Sequence, residues 1–102
     1  MLYRYTLHIP LTYNDGSRID PERVAEIIIE IEDSFGGYTR SQSFWDGYWK
    51  DEDGKEYRDT IMLLYVDGPQ KINSVLEDLG GRYAAHLGQV KIYITCQPIA
   101  LL

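Results

Sequence analysis

The sequence contains one cysteine and has few basic residues, and both scarcities exclude whole classes of protein. Its 102 residues include ten Lys and Arg against sixteen Asp and Glu, which gives a net charge of −6. A lone Cys96 cannot form an internal disulfide or a CxxC metal or redox pair. Because the basic residues are also scattered, binding to the phosphate backbone of nucleic acids is not expected. A local basic pocket for one small anion remains compatible with this charge.

Long apolar runs are absent as well. No segment approaches the roughly 18 apolar residues of a membrane-spanning helix, and no basic and apolar leader opens the chain. We therefore expect no membrane association and a cytoplasmic location. The composition, 44% hydrophobic and 25% charged, is that of a globular protein. No linker, repeat or low-complexity segment divides it, so residues 1–102 are expected to form a single domain.

The first half of the chain predicts a strand followed by a helix. In LYRYTLHIP, Tyr3, Tyr5, Leu7 and Ile9 alternate with polar residues, as in a strand with one buried face. A helix is expected to begin at the N-cap Asp20 with Pro21 in its first position. Its apolar residues recur at the 3–4 spacing of one buried stripe, and the pair at 36–37, both glycine, predicts its end.

The second half predicts a hairpin, a second helix and a last strand. The segment TIMLLYV at 60–66 is apolar on both faces, which indicates a central strand covered on both sides. The second helix is expected to start near Pro69, and Gly80-Gly81 lies inside its apolar stripe, where it can break or bend the helix. The last strand is predicted over QVKIYITC, with Cys96 as a small buried residue, and QPIALL follows as an apolar tail.

The order β-α-β-β-α-β predicts an α+β, ferredoxin-like fold: a four-stranded antiparallel sheet with both helices on one face. The first and third strands should then lie in the middle. Since two helices cover only one face, a second subunit is the simplest cover for the other. We therefore expect a homo-oligomer, a dimer or a trimer.

The hairpin turn is expected at Asp53-Gly54, a strong signal for a two-residue type I′ turn. With that turn, Trp49 lies opposite Arg58, where the two could form a cation–π pair, and Tyr48 lies opposite Asp59. A longer loop would shift this register by one residue and exchange the faces.

No metal or cofactor is expected. The DEDG run lacks the spacing of a calcium-binding EF-hand loop, and no His/Cys/Asp cluster has metal-ligand spacing. Phosphate-cradling, dinucleotide and nucleophile-elbow motifs are absent too. His8 shares a polar strand face with Arg4 and Thr6, so it is either an ordinary polar residue or part of a pocket wall.

The aromatic residues of the hairpin are more numerous than a solvated hairpin needs. They pack at a subunit interface, wall a pocket for a flat ligand, or do both. If the protein is an enzyme, the Tyr48 hydroxyl and the Asp59 carboxyl are the candidate acid–base pair; otherwise they are a structural hydrogen bond. The candidate ligand-binding residues are Tyr38, Trp45, Tyr48, Trp49, Arg58, Asp59 and His8.

Two resemblances follow from these motifs. PLTYNDG, FGGYT and GYWKDEDGKEYRD together resemble a family of uncharacterised small proteins from bacteria and archaea, which implies a fold and a site position but no activity. Tyr48 in DGYW, followed eleven residues later by Asp59 in YRD, is similar to the small phage S-adenosylmethionine lyases. That resemblance implies a trimer that binds substrate between subunits, although the lyases carry Glu where this chain has Asp59.

The sequence thus favours a small-molecule-binding or regulatory protein with a pocket at a homo-oligomer interface. Fold-level analogy with trimers of the PII signalling type makes a nucleotide one possible ligand. The alternatives are a lyase acting on S-adenosylmethionine through Tyr48 and Asp59, and a protein-interaction module. Whether the protein is an enzyme is left open by the sequence.

Overall fold

The computed structural model describes residues 2–41, 45–69, 73–89 and 92–102, with the backbone alone at 45, 46, 59 and 73–75. No helix in these ranges is both long enough and apolar enough to span a bilayer. The elements in chain order are β1 (Leu2–Pro10), α1 (Pro21–Phe35), β2 (Thr39–Arg40), β3 (Trp45–Lys50), β4 (Glu56–Gly68), α2 (Asn73–His86) and β5 (Tyr93–Ile99).

The sheet is antiparallel, with β1 and β4 at its centre, as predicted. β5 pairs with one edge of β1, and β4 pairs with the other. The short β2 and the longer β3 pair with different parts of the same outer edge of β4, so the sheet is four strands wide. This is the ferredoxin-like α+β fold that the sequence predicted.

Helix α1 begins and ends at the residues that the sequence indicated. The Asp20 carboxylate accepts a hydrogen bond from the Glu22 backbone N–H at 3.0 Å, and Pro21 occupies the first turn. At the other end Gly36 adopts the left-handed conformation (φ +77°) and donates its N–H to the Glu32 carbonyl at 2.9 Å. Both caps satisfy backbone groups that a helix terminus leaves unpaired.

The core lies between the two helices and one face of the sheet, which we call the helix face. On the strands, the buried side chains of this face alternate as predicted with those of the opposite face. Burial of this apolar surface is the main force that holds the helices on the sheet. The core includes Tyr5, Leu7 and Ile9 of β1, Met62, Leu64 and Val66 of β4, Val24, Ile27 and Ile31 of α1, and Leu76, Leu79 and Tyr83 of α2.

The last strand differs from the prediction. β5 runs from Tyr93 to Ile99, so Gln97 and Pro98 of the expected tail are strand residues paired with β1. Cys96 is exposed, and its expected burial is wrong. It lies opposite Tyr5 on the helix face, but β5 is an edge strand, and Cys96 lines an open cleft between β5 and α2.

Helix α2 continues through its two glycines without a break. A Cβ atom built on Gly80 would lie 3.0 Å from Cδ1 of Ile94, whereas one on Gly81 would meet nothing within 4 Å. The absence of a side chain at position 80 therefore allows α2 to approach β5 closely. The described part of α2 begins at Asn73, so its start near Pro69 stays a prediction. Ile72 and Val90, which were predicted to lie on apolar faces, fall outside the described part of the chain.

Candidate functional site

The β3–β4 hairpin forms an arm, residues 45–61, whose turn is longer than predicted. The Gly54 N–H donates to the Asp51 carbonyl and the Asp51 N–H donates to the Lys55 carbonyl, both at 3.0 Å. Asp51 Oδ1 also accepts from the backbone N–H groups of Asp53 and Lys55 at 2.9 Å. With Gly54 at φ +81°, this is the three-residue loop with a glycine bulge. The predicted two-residue turn is wrong.

The longer loop moves every cross-strand pair of the arm by one residue. Tyr48 lies opposite Arg58, Trp49 opposite Tyr57, and Gly47 opposite Asp59. The expected Trp49–Arg58 and Tyr48–Asp59 pairs are therefore not cross-strand partners. The cause is the Asp51 carboxylate, which holds two further backbone N–H groups and so stabilises the larger loop.

One side of the arm, the aromatic side, carries a stacked ring pair. The rings of Trp49 and Tyr57 are nearly parallel, with centroids 4.2 Å apart and an interplanar angle of 13°. The Lys55 ammonium lies 5.1 Å from the Tyr57 centroid, and the Tyr57 hydroxyl donates to Asp51 Oδ2 at 3.2 Å. Because Trp49 remains 42% exposed, this stack presents a flat apolar surface to solvent.

The other side, the charged side, combines a tyrosine with ionic groups. The Arg58 guanidinium lies 5.5 Å from the centroid of the Tyr48 ring. The Tyr48 hydroxyl donates to Glu56 Oε1 at 3.1 Å, and Lys50 Nζ lies 3.9 Å from the same oxygen. Tyr48 is thus partnered by Glu56 and Arg58 within one subunit.

The two sides of the arm continue onto different faces of the sheet. Successive strand residues alternate faces, so Tyr57 belongs with Ile61, Leu63 and Tyr65, on the face away from the helices. Arg58 belongs with Thr60 and Met62 on the helix face. The aromatic side is therefore continuous with the face that the helices leave open, and the charged side with the helix face.

The open face has an apolar end near the arm and an ionic end away from it. His8 lies between Leu63 and Tyr93 and meets the Tyr93 ring edge-on at 5.1 Å. Burial lowers the pKa of His8, which favours the neutral imidazole. At the far end Arg4 makes a two-pronged ion pair with Asp67, at 2.8 and 3.0 Å, which lowers the pKa of that carboxyl.

The predicted site residues do not form one cluster within a subunit. Tyr48, Trp49 and Arg58 lie on the arm but on two different sides, and His8 lies on the open face. Tyr38 precedes Thr39, and Thr39 pairs with Tyr65. Tyr65 lies seven residues from Arg58 along β4, so the Thr39–Tyr65 pair is roughly 23 Å from Arg58. The side chains of Trp45 and Asp59 lie outside the described part of the structure.

Sequence reasoning missed two residues that complete the arm. Tyr57 supplies half of the aromatic stack, and Glu56 accepts the hydrogen bond from Tyr48. The signal that could have found them is the D-x-x-G spacing of Asp51 and Gly54, which is compatible with a three-residue loop. Among the described residues no three His, Cys, Asp or Glu side chains could jointly hold a metal ion.

A groove of about 860 Å³ lies next to the charged side of the arm. Its walls come from the 11–19 loop, the first turns of α1 and the outer edge of the sheet. Ile19, Val24 and Met62 form an apolar floor, and Thr60 lies two residues beyond Arg58 on the same face of β4. Two smaller clefts, of about 480 and 190 Å³, lie between α2 and β5 and between the two helices.

The comparisons with known proteins support the fold and leave the activity open. No protein-family model matches the sequence, and no curated protein matches it significantly. A phage SAM lyase, solved in complex with S-methyl-5′-thioadenosine, is similar in structure with a TM-score of 0.73 at 14% identity, over 94% of this chain and 80% of the lyase chain. The divalent cation tolerance protein CutA1 from Thermus thermophilus is similar with a TM-score of 0.63 at 16% identity, over 99% and 86% of the two chains.

Proposed function

We propose that this protein is a homo-oligomeric small-molecule-binding protein in which the arm has two roles. Its aromatic side and the open face form the contact between copies. Its charged side and the adjacent groove form the ligand site. The observation that carries this proposal is the register of the arm, because it places Trp49 and Tyr57 on one face of the sheet and Tyr48 and Arg58 on the other.

The assembly part rests on exposed apolar surface. The helices pack on one face of the sheet, while the partly exposed Ile61 and Tyr65 of β4 lie on the other. Tyr93 is 60% exposed on the same face, on the far side of His8, and the Trp49–Tyr57 stack lies on the same face along the arm. Exposed apolar surface of this kind is typical of a protein interface, and a second copy of the chain offers a matching surface.

The ligand part rests on the groove. Its volume falls in the range of about 300–1,000 Å³ that is usual for small-molecule sites, and it combines an apolar floor with a few polar side chains. Arg58 and Tyr48 do not line the groove, but they share a strand face with its wall residue Thr60, so a ligand that extends beyond the groove could contact them. The similar phage lyase was solved with a nucleoside bound, which supports small-molecule binding at the level of fold analogy.

The assembly is tested by a matched pair of substitutions on the two sides of the arm. We expect Trp49→Ser to dissociate the oligomer, because it removes the exposed half of the aromatic stack, and Tyr48→Ser to leave it assembled. Sedimentation velocity over a range of concentrations distinguishes the two. A wild-type protein that is monomeric at all concentrations would contradict the proposal.

The ligand site is tested by a thermal-shift panel of nucleosides, nucleotides, amino acids and organic acids. A compound that raises the melting temperature should lose this effect in Ala25→Trp, which fills the groove. It should keep the effect in Ala85→Trp, a matched control on the exposed surface of α2. If no compound shifts the melting temperature, or if Ala25→Trp has no influence, the groove is not the ligand site.

A second candidate function is a lyase that acts on S-adenosylmethionine. The observation in its favour is the structural similarity to a phage SAM lyase over 94% of the chain, together with the Tyr48–Asp59 spacing. Incubation of pure protein with S-adenosylmethionine and chromatography for methylthioadenosine tests it. Product that is lost in Tyr48→Phe would support this function, and the absence of product from the wild type would end it.

A further inference from the structure

We infer that the groove binds a small organic anion, with Arg18 and Arg40 holding its charged group and the apolar walls contacting its body. This inference rests on the proposed ligand site and adds the chemical class of the ligand. The two arginines are 22 residues apart in sequence (40 − 18) and line the same groove through the tertiary fold. Neither was a candidate in the sequence.

The first argument is charge without a protein partner. Neither the Arg18 nor the Arg40 side chain makes a hydrogen bond or ion pair to the part of the chain that the structure describes. Other arginines have clear partners: Arg4 pairs with Asp67, Arg23 donates to the His86 carbonyl and Arg82 pairs with Glu30.

The second argument is the composition of the groove. In a chain with sixteen acidic residues, none of the described groove-lining residues is acidic. Two positive charges therefore face a concave surface in a protein of net charge −6. Guanidinium groups bind carboxylates and phosphates through paired hydrogen bonds, which makes an anionic group the natural complement.

The third argument concerns the rest of the ligand. Above the buried floor, the groove walls include the partly exposed Leu11 and Ile28 and the exposed Ala25, so they offer apolar surface to a ligand. Burying an apolar body there is favourable, whereas a bare inorganic ion would leave that surface in water. The net negative charge of the chain disfavours a long polyanion, which leaves a small anion with an apolar body.

The test compares three probes of one shape and different charge: 2-naphthyl phosphate, 2-naphthoate and neutral 2-naphthol. Isothermal titration calorimetry of the full chain should show binding of at least one anion, and at least tenfold weaker binding of the neutral probe. Arg18→Gln and Arg40→Gln should each weaken anion binding by about tenfold to a hundredfold, as expected for a lost hydrogen bond to a charged group. The matched control Lys55→Gln removes one positive charge at the arm tip and should leave binding unchanged.

The two anions also distinguish the preferred head group, since binding of only the phosphate or only the carboxylate would support the inference and narrow it. Equal binding of 2-naphthol, unchanged affinity in both arginine variants, or binding of none of the probes would each overturn it. The proposed function would survive these failures if Ala25→Trp still abolished the thermal shift caused by another compound. Without any such shift, the proposed function would fail as well.

Discussion

The two faces of β4 are both apolar in sequence, but the two helices pack on only one of them. Leu64 is fully buried beneath the helices, in contact with the main core. Its neighbour Leu63, 7% exposed, lies on the open face beside the partly exposed Ile61 and Tyr65. The comparison teaches that apolar residues on both faces of a strand mark a sheet whose second face is not covered by the helices of the same chain.

The largest expected effect is the loss of Leu64. Leu64→Ala should lower the free energy of unfolding by about 3 kcal/mol, because a fully buried leucine loses both transfer energy and packing. Leu63→Ala should cost less, about 2 kcal/mol, because Leu63 keeps 7% of its surface exposed and lies outside the main core cluster. Urea denaturation measures both. Equal losses would show that the two faces are equally well packed within one chain.

The next effect is on assembly. Tyr93→Asp places a charge on the exposed part of the open face and should weaken subunit association at least tenfold, since a charge buried at an interface without a partner is costly. Ala85→Asp, on the exposed surface of α2, serves as the control and should assemble normally. Sedimentation equilibrium gives the dissociation constants, and similar values for the two variants would place the interface elsewhere.

Much of the fold was predictable because its determinants are local. Asp20, Pro21 and Gly36 define the ends of α1 through their own backbone and side-chain chemistry. The alternation of β1 and the two-sided apolarity of β4 follow from the positions of these strands in the sheet. Each of these signals depends on residues within a few positions of one another, so no knowledge of tertiary contacts is needed to interpret them.

The site was less predictable, for two physical reasons. The loop at Asp53-Gly54 is compatible with two lengths, and the choice depends on the Asp51 carboxylate, whose two backbone hydrogen bonds move the register by one residue. The groove includes Arg18 and Arg40, which line the same surface only in the folded chain, where the 11–19 loop, α1 and the outer edge of the sheet meet. Neither the choice between two loop lengths nor the presence of two distant arginines in one groove produces a periodic pattern in the sequence.

A smaller effect is expected on the helix face, where α2 contacts β5. Gly81→Ala should stabilise the protein by about 0.5–1 kcal/mol, since alanine favours a helix over glycine and nothing lies within 4 Å of the new methyl group. Gly80→Ala should lose that gain, because its methyl group would lie 3.0 Å from Ile94 Cδ1. Thermal denaturation compares the pair. Equal stabilisation would mean that Ile94 moves freely and that the close approach is not required.

The smallest effect concerns the pH dependence contributed by His8 on the open face. Burial lowers its pKa from the ordinary value of 6.5, so the unfolded chain binds the proton more readily than the folded one. The stability contributed by neutral His8 is therefore fully present above pH 6.5 and is lost as the pH falls below it.

Wild type should consequently lose more stability between about pH 7.5 and about pH 5 than His8→Gln. Urea denaturation at the two pH values measures the difference. If a second copy covers the open face, the same protonation should also weaken association, and dissociation at the lower pH should diminish in His8→Gln. A pH dependence that persists unchanged in His8→Gln would assign the titration to another group and remove His8 from the interface.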